Sequence, residues 1–549
     1  MAAAKAATMV IRYPFFRGVC PMVKTAAFIA ATLFAAQAFA HEDDAKSSSQ
    51  VLGKVSFKTS CSKAAQPKFN RGVALLHSFW YSEAEAAFKD IVAQEPSCTI
   101  AYWGLASILM NNPIAGQGAV GKAPELAQAA LEQARANPPK TQRERDYLEA
   151  VSAYYKDFAQ RTERERQQAR AEAYEKLAAK YPTDDEAQIF YAVYLAATQS
   201  LNDKTYGPTL KAAGILEQQF KKYPQHPGVA HYLIHSYDYP PIAQKGVNAA
   251  RRYAKIAPDA PHAQHMPSHI FTRVGAWEDA VQTNARSAAA ARKGNEGDES
   301  WHAVDYMVYA YLQMGRDRQA EATWTDALKY MNISPRFVAP YALAAVPARL
   351  AIERGDWKAA SALELRPSKF PFVDANTHLA RALGNARTGN PDAAEQELLA
   401  MRKLHAQLVE AKNGYWATEV EVSGLIAVAW TRLAQGKADE AEERMRQAAD
   451  LEDKNDKHIV TPGRILPARE LLGDMLMEMK RPADALKEYE ASQQREPNRF
   501  RGLYGAAQAA QQAGDAAKAK RYYGQLVKVA SKGDARPELA TAKKYLAMK

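Results

Sequence analysis

The chain has 549 residues, with 72 Lys and Arg against 61 Asp and Glu and a formal net charge of +11. Over that length the basic excess is mild, and no dense Lys/Arg block with interleaved aromatics stands out, so nucleic acid is set aside as a partner. No internal run is apolar for the roughly 18 residues that a membrane span needs, while abundant alanine and few alternating β-branched runs favour helix throughout.

Residues 1–40 carry four basic residues, Lys5, Arg12, Arg17 and Lys24, and no acidic one. The apolar run from Thr25 to Phe39 ends in the small-residue signature Ala38-Phe39-Ala40. This predicts a cleavable secretory signal over 1–40, cut after Ala40, with translation starting at Met1 or Met22. The run is short for a membrane anchor, and Cys20 lies upstream of it, where a lipoprotein cysteine does not belong. Residues 41–66 are polar and are expected to form a flexible N-terminal arm. An exported chain folds in an oxidising compartment, so Cys61 and Cys98 invite one disulfide, with two buried free thiols as the alternative.

From Pro67 the pattern changes to helical hairpins. In the first, Phe69 to Pro96, Ala84 is small enough to admit a neighbouring helix, Phe88 fills the gap and Pro96 ends the unit. A turn glycine followed five residues later by alanine recurs as Gly275/Ala280, Gly315/Ala320, Gly355/Ala360, Gly389/Ala394, Gly436/Ala441 and Gly514/Ala519. Bulky residues follow in Trp324 and Met445, and Gly473, Ala485, Tyr489 and Pro497 fit the same template. This pattern resembles the tetratricopeptide repeat family. The resemblance implies an all-α, right-handed α-solenoid of about a dozen helical hairpins over 67–549, with C-terminal repeats near 467–530. Departures from a strict period are expected between Asn111 and Lys122 and between Arg292 and Ser300. Gly502 to Lys549 is expected to cap the far end.

Val229 to Phe271 is the least generic stretch. His231 and His265, like His235 and His269, stand 34 residues apart, which is one repeat period. A spacing of four puts each pair on one helical face, so neighbouring first helices are expected to present two histidine pairs to one concave groove. His262 lies in the same segment, and Asp238 is one turn beyond His235. The step to the next repeat maps His262 to His302, His265 to Asp305 and His269 to Tyr309. Three readings follow. The groove recognises a protein segment or small polar ligand through these imidazole, carboxylate and phenol groups, with Tyr232 and Tyr237 adding to it. Or His231, His235, His265 and His269, with Asp238 or Asp305 in place of one, hold Zn or Cu. Or the histidines pack between helices and fix the twist. A metal-dependent hydrolase is a sub-case of the second, though no glutamate is suitably placed within the motif.

Other motifs are weaker. Gly116, Gly118, Gly121 and Lys122 imitate a phosphate-binding loop, but Ala123 stands where the Mg²⁺-binding hydroxyl belongs and no strand precedes. No recognised catalytic motif is present, which points away from an enzyme. His77 and Trp80, at the bend of the first hairpin, are candidates to close one end of the groove, and Asp456 to Gly463 reads as an irregular loop beside it. The cysteine pair, the two-part histidine motif, the Trp301-His302 helix and the Thr461-Pro462-Gly463 loop together look similar to exported bacterial tetratricopeptide proteins without an assigned activity. That likeness, from Val55 to Glu496, implies a periplasmic location and supplies no reaction. The expectation is a periplasmic binding or assembly module with a protein or peptide partner. The alternative is a transition-metal protein.

Overall fold

The computed structural model describes residues 50–548 apart from 117 and 335; the expected signal and residues 41–49 lie outside the described residues. Among the described residues no β-strand forms, and successive helices pack as hairpins. Trp277–Lys293 packs on Gly297–Gln313, Pro371–Arg387 on Pro391–Glu410, and Gly414–Ala434 on Ala438–Asp453. The chain is thus an all-α array of tetratricopeptide-like hairpins.

The local causes are those the template requires. Gly275 adopts φ +68° in the turn before Trp277–Lys293, a conformation that costs an L side chain energy and glycine almost none. Ala280, five residues on, is fully buried where the neighbouring helix crosses. Some helices without such a turn begin with side-chain caps. Thr141 and Thr162 each accept from the backbone N–H of a glutamate three residues on, and that glutamate bonds back to the threonine N–H, a reciprocal arrangement that satisfies two otherwise unpaired donors.

Two expectations change. The arm expected to be flexible over 41–66 is, from Val51 onward, packed against the helices, with Leu52, Phe57 and Ala65 buried in the core. Phe57 is fully buried, with ring centroids 5.1 Å from Phe69, 5.1 Å from Trp103 and 4.8 Å from Tyr147. Burying such a side chain stabilises the fold by about 2–3 kcal/mol, which outweighs the polar character of its neighbours. Ser60 donates from both its N–H and its hydroxyl to Glu144, and Cys61 is joined to Cys98 with Cα atoms 4.9 Å apart.

The second change concerns the array's ends. The segment expected to cap a far end folds back onto the middle. The Asp534 N–H donates to the Gly315 carbonyl at 2.8 Å, and Arg536 pairs with Asp317. Near the start, the Lys54 N–H donates to the Gln225 carbonyl at 2.9 Å. The array therefore curls until Ala65–His77 touches Pro227–Tyr237 and Phe500–Gln512 touches Gly297–Gln313. This curl buries the histidine segment beneath neighbouring hairpins.

Candidate functional site: a buried cluster of six imidazoles

Four helices supply the six rings. Pro227–Tyr237 carries His231 and His235 one turn apart. Pro261–His265 carries His262 and His265, and Pro267–Arg273 carries His269. Proline at 267 has no N–H for the helical ladder, and the following turn is tighter, the His269 backbone N–H donating to the Met266 carbonyl at 3.1 Å. That break divides the second histidine segment in two. Gly297–Gln313, from the next hairpin, contributes His302.

The rings sort into two triads. His231, His235 and His262 bring one ligand atom each within 4.8 Å of one another, and so do His265, His269 and His302. Their exposures run only from 0% for His231 and His265 to 8% for His302. The four-histidine set expected from the repeat period is therefore corrected: His231/His235 and His265/His269 fall in different triads, each completed by a third ring. His262 completes the first because the helix break leaves it beside His231, with ring centroids 5.1 Å apart. His302 completes the second by lying against His265 at 4.0 Å.

The outer hydrogen bonds decide what the rings offer. His231 donates from Nδ1 to the His77 carbonyl at 2.7 Å, and His262 Nδ1 lies 2.8 Å from Glu299 Oε1. His265 Nδ1 lies 2.6 Å from Asn284 Oδ1, and the Asn284 amide donates its own N–H to the Ala280 carbonyl. His269 Nδ1 lies 2.8 Å from Asp238 Oδ2. Each partner is an acceptor, so each of these four Nδ1 atoms carries the proton and each Nε2 is left with a lone pair. The Nε2 atoms of His231, His262 and His302, and both nitrogens of His235, are buried without a hydrogen-bond partner among the described residues. His265 Nε2 and His269 Nε2 face each other at 2.9 Å. Two lone pairs so placed repel unless a cation stands between them. Burial, reinforced by neighbouring imidazoles, pushes His231, His235, His265 and His302 well below the ordinary histidine range. His269 is pushed down by burial too, with Asp238 partly opposing. A proton is therefore a poor candidate for that cation.

The surroundings are aromatic with a few charges. Tyr306 touches all three rings of the second triad, with centroids at 4.8, 5.3 and 5.3 Å, and donates its hydroxyl to the carbonyls of Ile459 and Thr461. Phe79 stands edge-on to His231 at 4.4 Å. Asp238 is also bound by Arg273 at 2.8 Å. Burial and the nearby Arg273 push the Lys457 ammonium down to about 7, and its Nζ donates to the Thr461 carbonyl.

The remaining expected site residues go elsewhere. Asp305 pairs with Arg349, and Tyr309 accepts from Arg499 and donates to Glu496. Both serve a buried ionic layer formed when distant hairpins fold back, so neither joins the imidazoles. His77 does not close a groove. It belongs to a separate buried set in which Glu186 is shared by His77 Nε2 at 2.9 Å and His226 Nε2 at 3.0 Å. Sequence reasoning missed Glu299, Asn284, Tyr306, Glu186 and His226. Of these only His226 leaves a signal: directly before Pro227, it caps the helix by accepting from the Val229 N–H.

The six rings do not line the cavity that lies beside them. A cavity of about 770 Å³ is lined by Phe337, Phe372, Trp416 and His458 together with Arg164, Arg336 and Lys369. Phe372 stacks on Trp416 at 4.0 Å. Ile459 lines this cavity while its carbonyl holds the Tyr306 hydroxyl, so the 456–463 loop is a wall shared with the imidazole cluster.

The chain matches no family model and no curated protein. Among solved structures it is similar to the crystal structure of an APC/C hetero-tetramer, Cut9-Hcn1, at 13% identity over 88% of this chain and 89% of that one, with a TM-score of 0.32. It is also similar to a tetratricopeptide repeat protein from Parabacteroides merdae, at 16% identity over 52% of this chain and 98% of that one, with a TM-score of 0.27. The architecture described above rests on this chain's own helices.

Proposed function

We propose that this is an exported, periplasmic helical-repeat protein whose buried imidazole cluster binds transition-metal ions, copper or zinc. The observation that carries the reading is the pair of Nε2 atoms of His265 and His269, 2.9 Å apart with both Nδ1 atoms already engaged. Two nitrogens each about 2.0–2.1 Å from one ion, as imidazole ligands sit, are that far apart when they subtend about 90° at the metal. The outer partners Asp238, Glu299, Asn284 and the His77 carbonyl fix tautomer and ring orientation as second-layer groups around metal-bound histidines do. The signal-like N-terminus and the Cys61–Cys98 bridge support export.

Elemental analysis of the full chain, metal-stripped and then re-equilibrated, tests this. The expected result is stoichiometric copper or zinc and a rise in Tm on loading, with both abolished by His235→Ala combined with His269→Ala. A wild-type chain that retains no metal after gel filtration ends the proposal.

A second reading has its own observation. The cavity joins stacked aromatics to Arg164 and Lys369, and a hairpin array offers extended surface to partner segments. It supports recognition of a protein segment carrying an aromatic ring and negative charge. Trp416→Ala is expected to weaken capture of acidic-aromatic peptides by about 2 kcal/mol, as loss of a central aromatic does. Equal capture by wild type and variant on a peptide array removes the cavity from consideration.

A further inference from the structure

The two triads stand close enough to act as one centre. Rings of different triads approach as His235 to His269 at 5.9 Å and His262 to His265 at 5.9 Å. Within the first triad, His231 lies 4.8 Å from His235 and 5.1 Å from His262. The gap between triads is thus barely wider than the spacing inside one. Ions held in the two triads would be neighbours, as where paired metals share a bridging ligand, and three protein ligands per ion would leave each an open position.

Charge selects the metal. All six ligands are imidazoles, which bind metal in the neutral form, and among the described residues the carboxylates bonded to the rings are Asp238 and Glu299. Asp238 is already matched by Arg273. The cost of burying an ion rises with the square of its charge. Two divalent ions bring four positive charges to a pocket with about one carboxylate unmatched, whereas two cuprous ions bring half as many. Imidazole is a suitable donor for copper.

Resting on the metal reading, we propose that the two triads hold a pair of cuprous ions that together bind dioxygen as a bridging peroxide. Each copper gives up one electron and becomes cupric. The two electrons enter O₂, its O–O bond falls to a single bond, and one new oxygen–copper bond forms to each ion. The copper pair gains two positive charges and the peroxide carries two negative ones, so the buried pocket has the same net charge before and after. No proton is required. Tyr306 and Phe79, packed against the rings, keep water from protonating the bound peroxide, and one-electron reduction of each copper with loss of O₂ reverses the step.

The test uses the full chain loaded with cuprous ion under anaerobic conditions. Admitting oxygen is expected to consume one O₂ per two coppers. It should produce the intense near-ultraviolet peroxide-to-copper band and leave the cupric pair silent in electron paramagnetic resonance, because the bridge couples the two spins. Degassing should reverse the band. His302→Ala, which removes one ligand of the second triad, is expected to lose the band and convert the remaining copper to an isolated, resonance-active cupric ion on oxidation. Should that variant fail to fold, His262→Ala makes the same cut in the first triad. Two coppers that oxidise to isolated paramagnetic sites without the band overturn this inference and leave the metal reading standing, as does stoichiometric zinc in a chain that rejects copper. A chain that takes up no metal defeats both.

Discussion

Two buried histidine clusters share a wall of this protein and differ in one respect. In the set formed by His77, Glu186 and His226 every ring nitrogen is engaged: His77 with the Tyr232 hydroxyl and Glu186, His226 with Glu186 and the Val229 N–H. In the six-ring cluster the Nδ1 atoms of five rings are engaged, and most Nε2 atoms point at one another or have no hydrogen-bond partner among the described residues. The residue His77 belongs to both, its ring to the closed set and its carbonyl to His231. Buried polar groups in a finished core are satisfied, since each unpaired one costs about 1–3 kcal/mol. Among the described residues one region leaves five imidazole nitrogens unpaired beside another that leaves none: the closed set holds the hairpins together, and the open one is where the proposed ligand would sit.

The largest effect that breaks this comparison comes from the closed set. Removing Glu186 leaves two buried imidazoles without their shared acceptor, and Glu186→Ala is expected to cost about 3–5 kcal/mol of stability while the folded fraction keeps its full metal content. Burial alone would push the Glu186 carboxyl up, and its interactions with His226 and His77 overcome this and hold it well below the ordinary glutamate range. The sign follows from proton linkage. A carboxyl depressed in the fold contributes stability that is present above its unfolded pKa, about 4.3, and is lost as pH falls below that value. Wild type is expected to lose stability more steeply than Glu186→Gln in acid, as denaturant titrations at stepped pH will show. If Glu186→Ala instead strips the metal without lowering Tm, the two clusters are not separate in function.

The hairpin array and the address of the histidines were both legible in the sequence, for the same physical reason. A stacked repeat returns the chain to an equivalent position each period, so the turn glycines, the buried alanines such as Ala280 and Ala320 and the matched pairs His231/His265 and His235/His269 all follow from one spacing. The division into triads was not legible. It depends on the break at Pro267 and on how far the array curls, and neither is a property of the repeat period. Extending that period one step further assigned Asp305 and Tyr309 to the cluster. Those side chains meet Arg349 and Arg499 instead, because Arg499 arrives from a hairpin 190 residues away in sequence. The packed stretch after Val51 was misread for a related reason: Phe57 is one aromatic in a polar segment, and only the tertiary pocket of Phe69, Trp103 and Tyr147 reveals its role.

A smaller effect sharpens the contrast from the open side. Burial alone would push the Glu299 carboxyl up, yet the neighbouring His262 brings it down to about 2, so it is an anion at any working pH and raises the electron density that His262 Nε2 presents. Glu299→Gln keeps an acceptor for the Nδ1–H and removes only the charge. Outer-layer changes of this kind lower metal affinity about 10–100-fold, or about 1.4–2.7 kcal/mol, while the metal-free Tm should move little because the hydrogen bond survives. Chelator competition against the wild-type chain measures the difference. An unchanged affinity in Glu299→Gln, with an equal drop in Tm for the loaded and metal-free forms, would place Glu299 with Glu186 as a packing partner and erase the distinction between the two clusters at this position.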